Sequence, residues 1–107
     1  MSAGILYPDV AEFDALIVGS VPVLVDFWAD WCMPCRMLTP VIEQLGDKYD
    51  GRAIVAKVNV DEHQEIAARF GVQSIPTVIV FKNGEIVDTI VGLRTADVYE
   101  RAIDALI

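Results

Sequence analysis

The stretch "VLVDFWADWCMPCR", residues 23–36, places a carboxylate inside an apolar run that ends in two cysteines two residues apart. Residues 21–29 are apolar on both faces apart from Asp26, and this pattern predicts a central strand of a sheet that is covered on both sides. An ionised side chain that is buried alone costs several kcal/mol. Asp26 is therefore expected to be paired, neutral or solvated through a gap.

The end of this stretch predicts the start of a helix. Pro34 is placed as a first-turn proline, a position that helices accept readily, and the helical spacing of apolar residues continues to about Tyr49, with Pro40 expected to kink the helix. Cys32 then lies near the helix N-terminus, where unpaired backbone N–H groups and the helix dipole stabilise a thiolate. Cys35 lies one turn further on, so its sulfur can reach that of Cys32.

Outside this stretch, the spacing of apolar residues predicts further helices and strands. Helices are predicted at about 9–18, 63–71 and 95–107, and strands at 53–60, 77–81 and 86–91. The order strand, helix, strand predicts a parallel βαβ unit, and residues 77–81 continue it. Asn83-Gly84 predicts a hairpin into an antiparallel edge strand. The sequence therefore predicts an α/β fold in a single domain, residues 1–107.

Composition narrows the classes of function. The chain is 54% hydrophobic and 22% charged, as expected of a globular protein, and its net charge of −8 disfavours nucleic acid and anionic membranes as partners. The N-terminus "MSAGILYPDV" lacks the pattern of a signal peptide, and no apolar run is long enough to span a membrane. These features predict a cytoplasmic protein, and its size makes a monomer the default expectation.

The two cysteines admit several interpretations. A structural disulfide closing so short a loop would contribute only about 2 kcal/mol, against about 3 for a fifteen-residue loop. A closed zinc site needs four ligands, and beyond the two thiols the chain offers only His63 and carboxylates, whereas an iron-sulfur or metal site shared by two chains would supply four thiolates. A dithiol/disulfide redox centre without a metal is favoured, since Cys-x-x-Cys beside a βαβ pattern is typical of one.

Asp26 and Lys57 both interrupt apolar strands. If those strands are neighbours, the two side chains can approach each other beneath the cysteine turn; alternatively, either side chain points outward at a strand end, as the long stem of Lys57 allows. Burial raises the pKa of a carboxyl group and a nearby ammonium lowers it. A raised pKa would suit Asp26 as a general base for Cys35.

Pro76, Trp28 and Trp31 have ordinary explanations as well as functional ones. Pro76 could be a trans proline that begins an edge strand, as most X-Pro bonds are trans. Trp28 is expected to belong to the core. Trp31, next to Cys32 in a polar context, is expected to be a partly exposed wall of the site.

Four segments, "VDFWADWCMPCR", "AKVNVDE", "GVQSIPTVIVFKNGE" and "VGL", resemble the thioredoxin family in order and spacing, and the similarity extends from about residue 9 to residue 107. The resemblance implies a central mixed sheet flanked by helices. It also implies that Cys32 is the attacking cysteine and Cys35 the resolving one, with Asp26 as the buried carboxylate and Lys57 as its partner.

The resemblance further implies that Pro76 is the family's cis-proline, which faces the disulfide and offers neighbouring backbone to an extended substrate strand. The expected substrate-binding residues are Trp31, Met33, Pro34, Ile75, Pro76, Gly92 and Leu93, with Trp28 and Pro40 as structural support. Met33 departs from the commonest motif, which has glycine between the first cysteine and the proline. Both redox potential and partner choice could depend on that side chain.

The predicted function is reduction of disulfides in protein substrates. The resemblance implies that a thioredoxin reductase drawing on NADPH restores the dithiol, with no bound cofactor. One alternative is an oxidant or isomerase on the same fold, and another is a non-catalytic interaction module that binds a partner through its apolar patch. Retention of both cysteines argues against the interaction module.

Overall fold

The computed structural model of the protein describes residues 4–107. These residues form one five-stranded sheet in the order β1-β3-β2-β4-β5, together with four helices. The elements in chain order are β1 (Ile5–Leu6), α1 (Val10–Ile17), β2 (Val23–Trp28), α2 (Met33–Lys48), β3 (Ile54–Asn59), α3 (Gln64–Arg69), β4 (Thr77–Lys82), β5 (Glu85–Val91) and α4 (Ala96–Asp104).

The sheet is mixed, as the resemblance implied. Strands β2 and β3 are parallel and joined through α2, which confirms the predicted βαβ unit. Strand β4 is antiparallel to β2, so the parallel pattern does not continue there. The lengths of the connecting helices account for this difference. The sixteen residues of α2 span about 24 Å, enough to return the chain to the start of a parallel strand. The six residues of α3 span only about 9 Å, so the chain enters β4 near the end at which it left β3.

The hairpin between β4 and β5 follows the prediction. Asn83 and Gly84 both adopt positive φ, 55° and 81°, as the tight turn between antiparallel strands requires. Strand β5 lies at the edge of the sheet, and within it only Ile90 is buried.

The structure departs from the sequence prediction most clearly at the two ends of the chain. The short strand β1 was not predicted; it pairs with β3 beside α2, where the backbones of Gly4 and Gly46 approach so closely that a Cβ on Gly4 would overlap the Gly46 carbonyl. Two residues are too few to show a period in the sequence. Helix α4 ends at Asp104 rather than at residue 107.

The two faces of the sheet carry separate apolar clusters. One includes residues of α1 and α3, and the other includes residues of α2 and α4. Leu24 and Val55 belong to the second cluster, and side chains alternate along a strand, so Asp26 and Lys57 face the α2/α4 layer too. None of the helices in residues 4–107 is long and apolar enough to cross a membrane.

Candidate active site

The cysteines lie at the junction of β2 and α2. Cys32 is the N-cap of α2, and the backbone N–H of Cys35 donates a hydrogen bond to Cys32 Sγ at 3.2 Å. The two sulfurs form a disulfide in this structure. Upon reduction, the same N–H and the positive end of the helix dipole are placed to stabilise a thiolate on Cys32.

Asp26 is fully buried in β2, two residues before the strand ends at Trp28. It lies opposite Lys57 in the β2–β3 register, so the two strands are neighbours as the pairing hypothesis required. Within residues 4–107, neither carboxylate oxygen of Asp26 has a hydrogen-bond partner. Burial raises the pKa of Asp26 to about 7, and Lys57 opposes part of that rise. Asp26 can therefore exchange a proton near neutral pH.

Lys57 is held beneath the cysteine helix rather than at a strand end. Its side chain is buried, its Nζ donates to Thr39 Oγ1 at 3.3 Å, and the ammonium lies 4.5 Å from the centre of the Trp28 ring. Thr39 Oγ1 in turn donates to the Cys35 carbonyl oxygen at 3.3 Å. A short chain of hydrogen bonds thus links the buried ammonium to the backbone of α2.

The sequence analysis did not identify Thr39 as a site residue, although its spacing from Cys35 is a signal. It stands four residues after Cys35, and a helical threonine can return its hydroxyl to the carbonyl oxygen four residues earlier. Asp61 was also missed. Its Oδ2 accepts a hydrogen bond from Trp31 Nε1 at 2.9 Å, across a separation of thirty residues that no local pattern reveals.

The loop before β4 lies against the cysteines. The Ile75-Pro76 peptide bond is cis, as the resemblance implied, and the carbonyl oxygen of Ile75 lies 3.6 Å from Cys32 Sγ. The Gly92 N–H donates to the Pro76 carbonyl oxygen at 2.8 Å. The segments around residues 75, 92 and 32 therefore adjoin one another, although they are far apart in the sequence.

Exposed apolar side chains come from the same segments. Trp31 is 71% exposed, Met33 61% and Leu93 42%. Together with Pro34, Ile75, Pro76 and Gly92 they define what we call the docking surface. Pro34 is exposed, Ile75 and Gly92 are half-buried, and Pro76 is buried.

The two residues expected to give structural support, Trp28 and Pro40, differ in position. Trp28 is half-buried and packs against the cysteine pair, so it contacts the site as well as the core. Pro40 lies inside α2 with its side chain exposed.

The arrangement is suited to thiol–disulfide exchange. It combines a potential thiolate at a helix N-terminus, a second thiol one turn away and a carboxylate that titrates near pH 7. In the part of the chain described, residues 4–107, no three His, Cys, Asp or Glu side chains are grouped so as to hold a metal ion.

Comparison with known proteins agrees with this chemistry. The family model for thioredoxin matches residues 5–105. A thioredoxin from Chlorobaculum thiosulfatiphilum is 55% identical over 82 residues, which cover 77% of this chain and 76% of the relative. A thioredoxin from Rickettsia bellii is 52% identical over 81 residues, 76% of this chain and 77% of the relative.

Comparison with solved structures also finds thioredoxins. A single-residue mutant of the thioredoxin from Halobacterium salinarum superposes with a TM-score of 0.83 at 39% identity, over 95% of this chain and 88% of that one. The thioredoxin of Malassezia sympodialis superposes with a TM-score of 0.88 at 31% identity, over 100% of this chain and 94% of that one.

Proposed function

The chain belongs to the thioredoxin family and is a thiol–disulfide oxidoreductase that reduces protein disulfides, and we propose that Cys32 is its attacking thiol and Cys35 its resolving thiol. The observation that carries this assignment is that Cys32 caps α2 and accepts the Cys35 N–H. A thiolate is stabilised at that position, and it is the thiolate that attacks a disulfide.

The exchange takes place in two steps. The Cys32 thiolate attacks one sulfur of the substrate disulfide, which forms a mixed disulfide and releases the other substrate sulfur as a thiolate. Cys35 then loses its proton and attacks Cys32 Sγ, which forms the Cys32–Cys35 disulfide and releases the second substrate thiolate. Two electrons pass from the protein to the substrate, and the disulfide form of the structure is the product state.

Asp26 is the proposed general base for Cys35. Its pKa of about 7 allows it to accept a proton at neutral pH, directly or through water. Lys57 is the proposed counter-charge, since it faces Asp26 in register and is fixed by Thr39. Asp26 and Cys35 share the buried α2/α4 side of the sheet, which supports this role.

Substrate strands are proposed to lie across the docking surface. Its apolar side chains are exposed, and the Ile75 carbonyl oxygen is close to Cys32 Sγ, so a bound strand would bring its disulfide to the attacking sulfur. Trp28 is proposed to support the site by packing against the cysteines, and Pro40 as part of α2.

A thioredoxin reductase using NADPH is the proposed source of electrons. The protein is proposed to be a monomer located in the cytoplasm. We expect insulin-disulfide reduction by the protein to consume NADPH when a thioredoxin reductase is present, measured as loss of absorbance at 340 nm. Omission of the reductase is the control. Equilibration with glutathione tests the direction, because a redox potential well above that of the cytosol would identify an oxidant instead.

Met33 provides a test of the docking surface. Met33→Ala removes an exposed apolar side chain beside Cys32, and the loss of its contact with a substrate, about 1 kcal/mol, should raise KM for insulin about fivefold. Steady-state kinetics would measure this, with Met33→Leu as the control that keeps the apolar volume. An unchanged KM in Met33→Ala would remove Met33 from the docking surface.

A further inference from the structure

We propose that Tyr99 is a positioning residue for substrate docking, because its buried hydroxyl holds both ends of the loop that presents Leu93. The inference rests on the proposed function, in which Gly92 and Leu93 form part of the docking surface. It assigns to the last helix a role in substrate binding.

The hydroxyl of Tyr99 makes two hydrogen bonds to the loop between β5 and α4. It donates to the carbonyl oxygen of Gly92 at 3.3 Å and accepts from the backbone N–H of Arg94 at 3.2 Å. These two partners stand on either side of Leu93, whose side chain is 42% exposed. One buried group therefore fixes the backbone before and after the side chain that a substrate would meet.

The same loop is joined to the segment beside the attacking sulfur. Gly92 has a φ of 90°, a conformation that glycine adopts readily, and its N–H donates to the Pro76 carbonyl oxygen at 2.8 Å. The preceding carbonyl oxygen, that of Ile75, lies 3.6 Å from Cys32 Sγ. A shift of the loop would thus be passed on to the backbone against which a substrate strand is proposed to lie.

The hydroxyl, and not the ring, is the part of Tyr99 that packing does not explain. The ring lies fully buried in the apolar cluster of the α2/α4 face, where a phenylalanine would fill the same space. The hydroxyl oxygen bonds the backbone groups of Gly92 and Arg94 there, which a phenylalanine ring could not do. Burial raises the pKa of Tyr99 although the hydrogen bond from the Arg94 N–H opposes the rise, so the hydroxyl keeps the proton that it donates.

Tyr99→Phe tests the proposal with little change to packing. Loss of two backbone hydrogen bonds should raise KM for insulin about three- to tenfold. The rate with a small disulfide, 5,5′-dithiobis(2-nitrobenzoate), should stay within twofold of the wild type, because that substrate does not extend across the loop. The amide of Arg94 should also exchange its proton faster in NMR hydrogen exchange, since its acceptor has been removed.

Tyr49→Phe is the matched control. Tyr49 is equally buried in the same cluster, but its hydroxyl donates to Asp104 Oδ1 at 2.7 Å, away from the loop. Thermal unfolding should show that both variants are folded, and KM of Tyr49→Phe should stay within twofold of the wild type. A wild-type KM in Tyr99→Phe, or an equal rise in Tyr49→Phe, would overturn the proposal.

Leu93→Asp separates this proposal from the one on which it rests. If Leu93→Asp raises KM for insulin and Tyr99→Phe does not, the docking surface stands and the role of Tyr99 is wrong. If Leu93→Asp leaves KM unchanged, Leu93 does not belong to the docking surface and the role of Tyr99 falls with it. A rise in both variants, with Tyr49→Phe unchanged, supports both proposals.

Discussion

Replacement of Cys35 by serine is expected to trap protein substrates as covalent adducts on Cys32 and to lower insulin-disulfide turnover by at least about a thousandfold. The first exchange needs only the Cys32 thiolate, which the cap position of α2 still stabilises. The second exchange loses its nucleophile, and an external thiol cannot match the effective concentration of a sulfur held one helical turn away. The adducts should appear on non-reducing gels and disappear with dithiothreitol.

Cys32→Ser is the matched control for this trap. It retains Cys35, which lies one turn further into α2 and is 1% exposed against 4% for Cys32, and so it should form no adducts and show no turnover. Equal trapping by the two variants would mean that either sulfur can attack. Trapping by Cys32→Ser alone would reverse the assignment of attacking and resolving thiols.

The elements that surround the cysteines were predictable because their signals are local. Two-sided apolar runs and helical spacing in residues 21–49 identified β2 and α2, and the position of Pro34 in the first turn placed Cys32 at the helix end. Asn83-Gly84 identified the hairpin for the same reason, since the turn depends on two adjacent residues.

Contacts between distant segments could not be derived in this way. The register of β2 with β3 decides that Asp26 lies opposite Lys57, and a shift of one residue would have turned one of them to the other face. The hydroxyl of Tyr99 is a stronger case: helical spacing predicted the helix that carries it, but nothing local predicted that the hydroxyl would bind the backbone of Gly92 and Arg94. The cis bond before Pro76 was implied by resemblance alone.

Asp26→Asn is expected to stabilise the disulfide form of the protein at alkaline pH. The folded-state pKa of Asp26 is about 7, above the ordinary value of 3.8 that applies to the unfolded chain. Between these values the folded state binds more protons than the unfolded state, so the free energy of unfolding falls as pH rises from about 4 to about 7. A difference of three pKa units corresponds to about 4 kcal/mol.

Denaturant unfolding of the oxidised wild type and Asp26→Asn at pH 4 to 9 would measure this difference. The two proteins should be similar near pH 4, where Asp26 is neutral, and the variant should be more stable by up to about 4 kcal/mol above pH 8. Asp50→Asn, a change at an exposed carboxylate, should keep the pH dependence of the wild type. A constant difference between wild type and Asp26→Asn at all pH values would contradict the raised pKa.

The buried Asp26 carboxylate lowers the stability of the protein, and a role in the reaction would explain why it is present. The variant Asp26→Asn also tests this role. Asp26→Asn removes the proposed proton acceptor for Cys35 while the Cys32 thiolate keeps its helix cap. At pH 7 we therefore expect release of the mixed disulfide to slow by about a hundredfold, within the usual contribution of a general base, and the first attack to slow much less. Rapid-mixing kinetics resolve the two steps. Equal slowing of both would mean that Asp26 acts on the site as a buried charge rather than as the base.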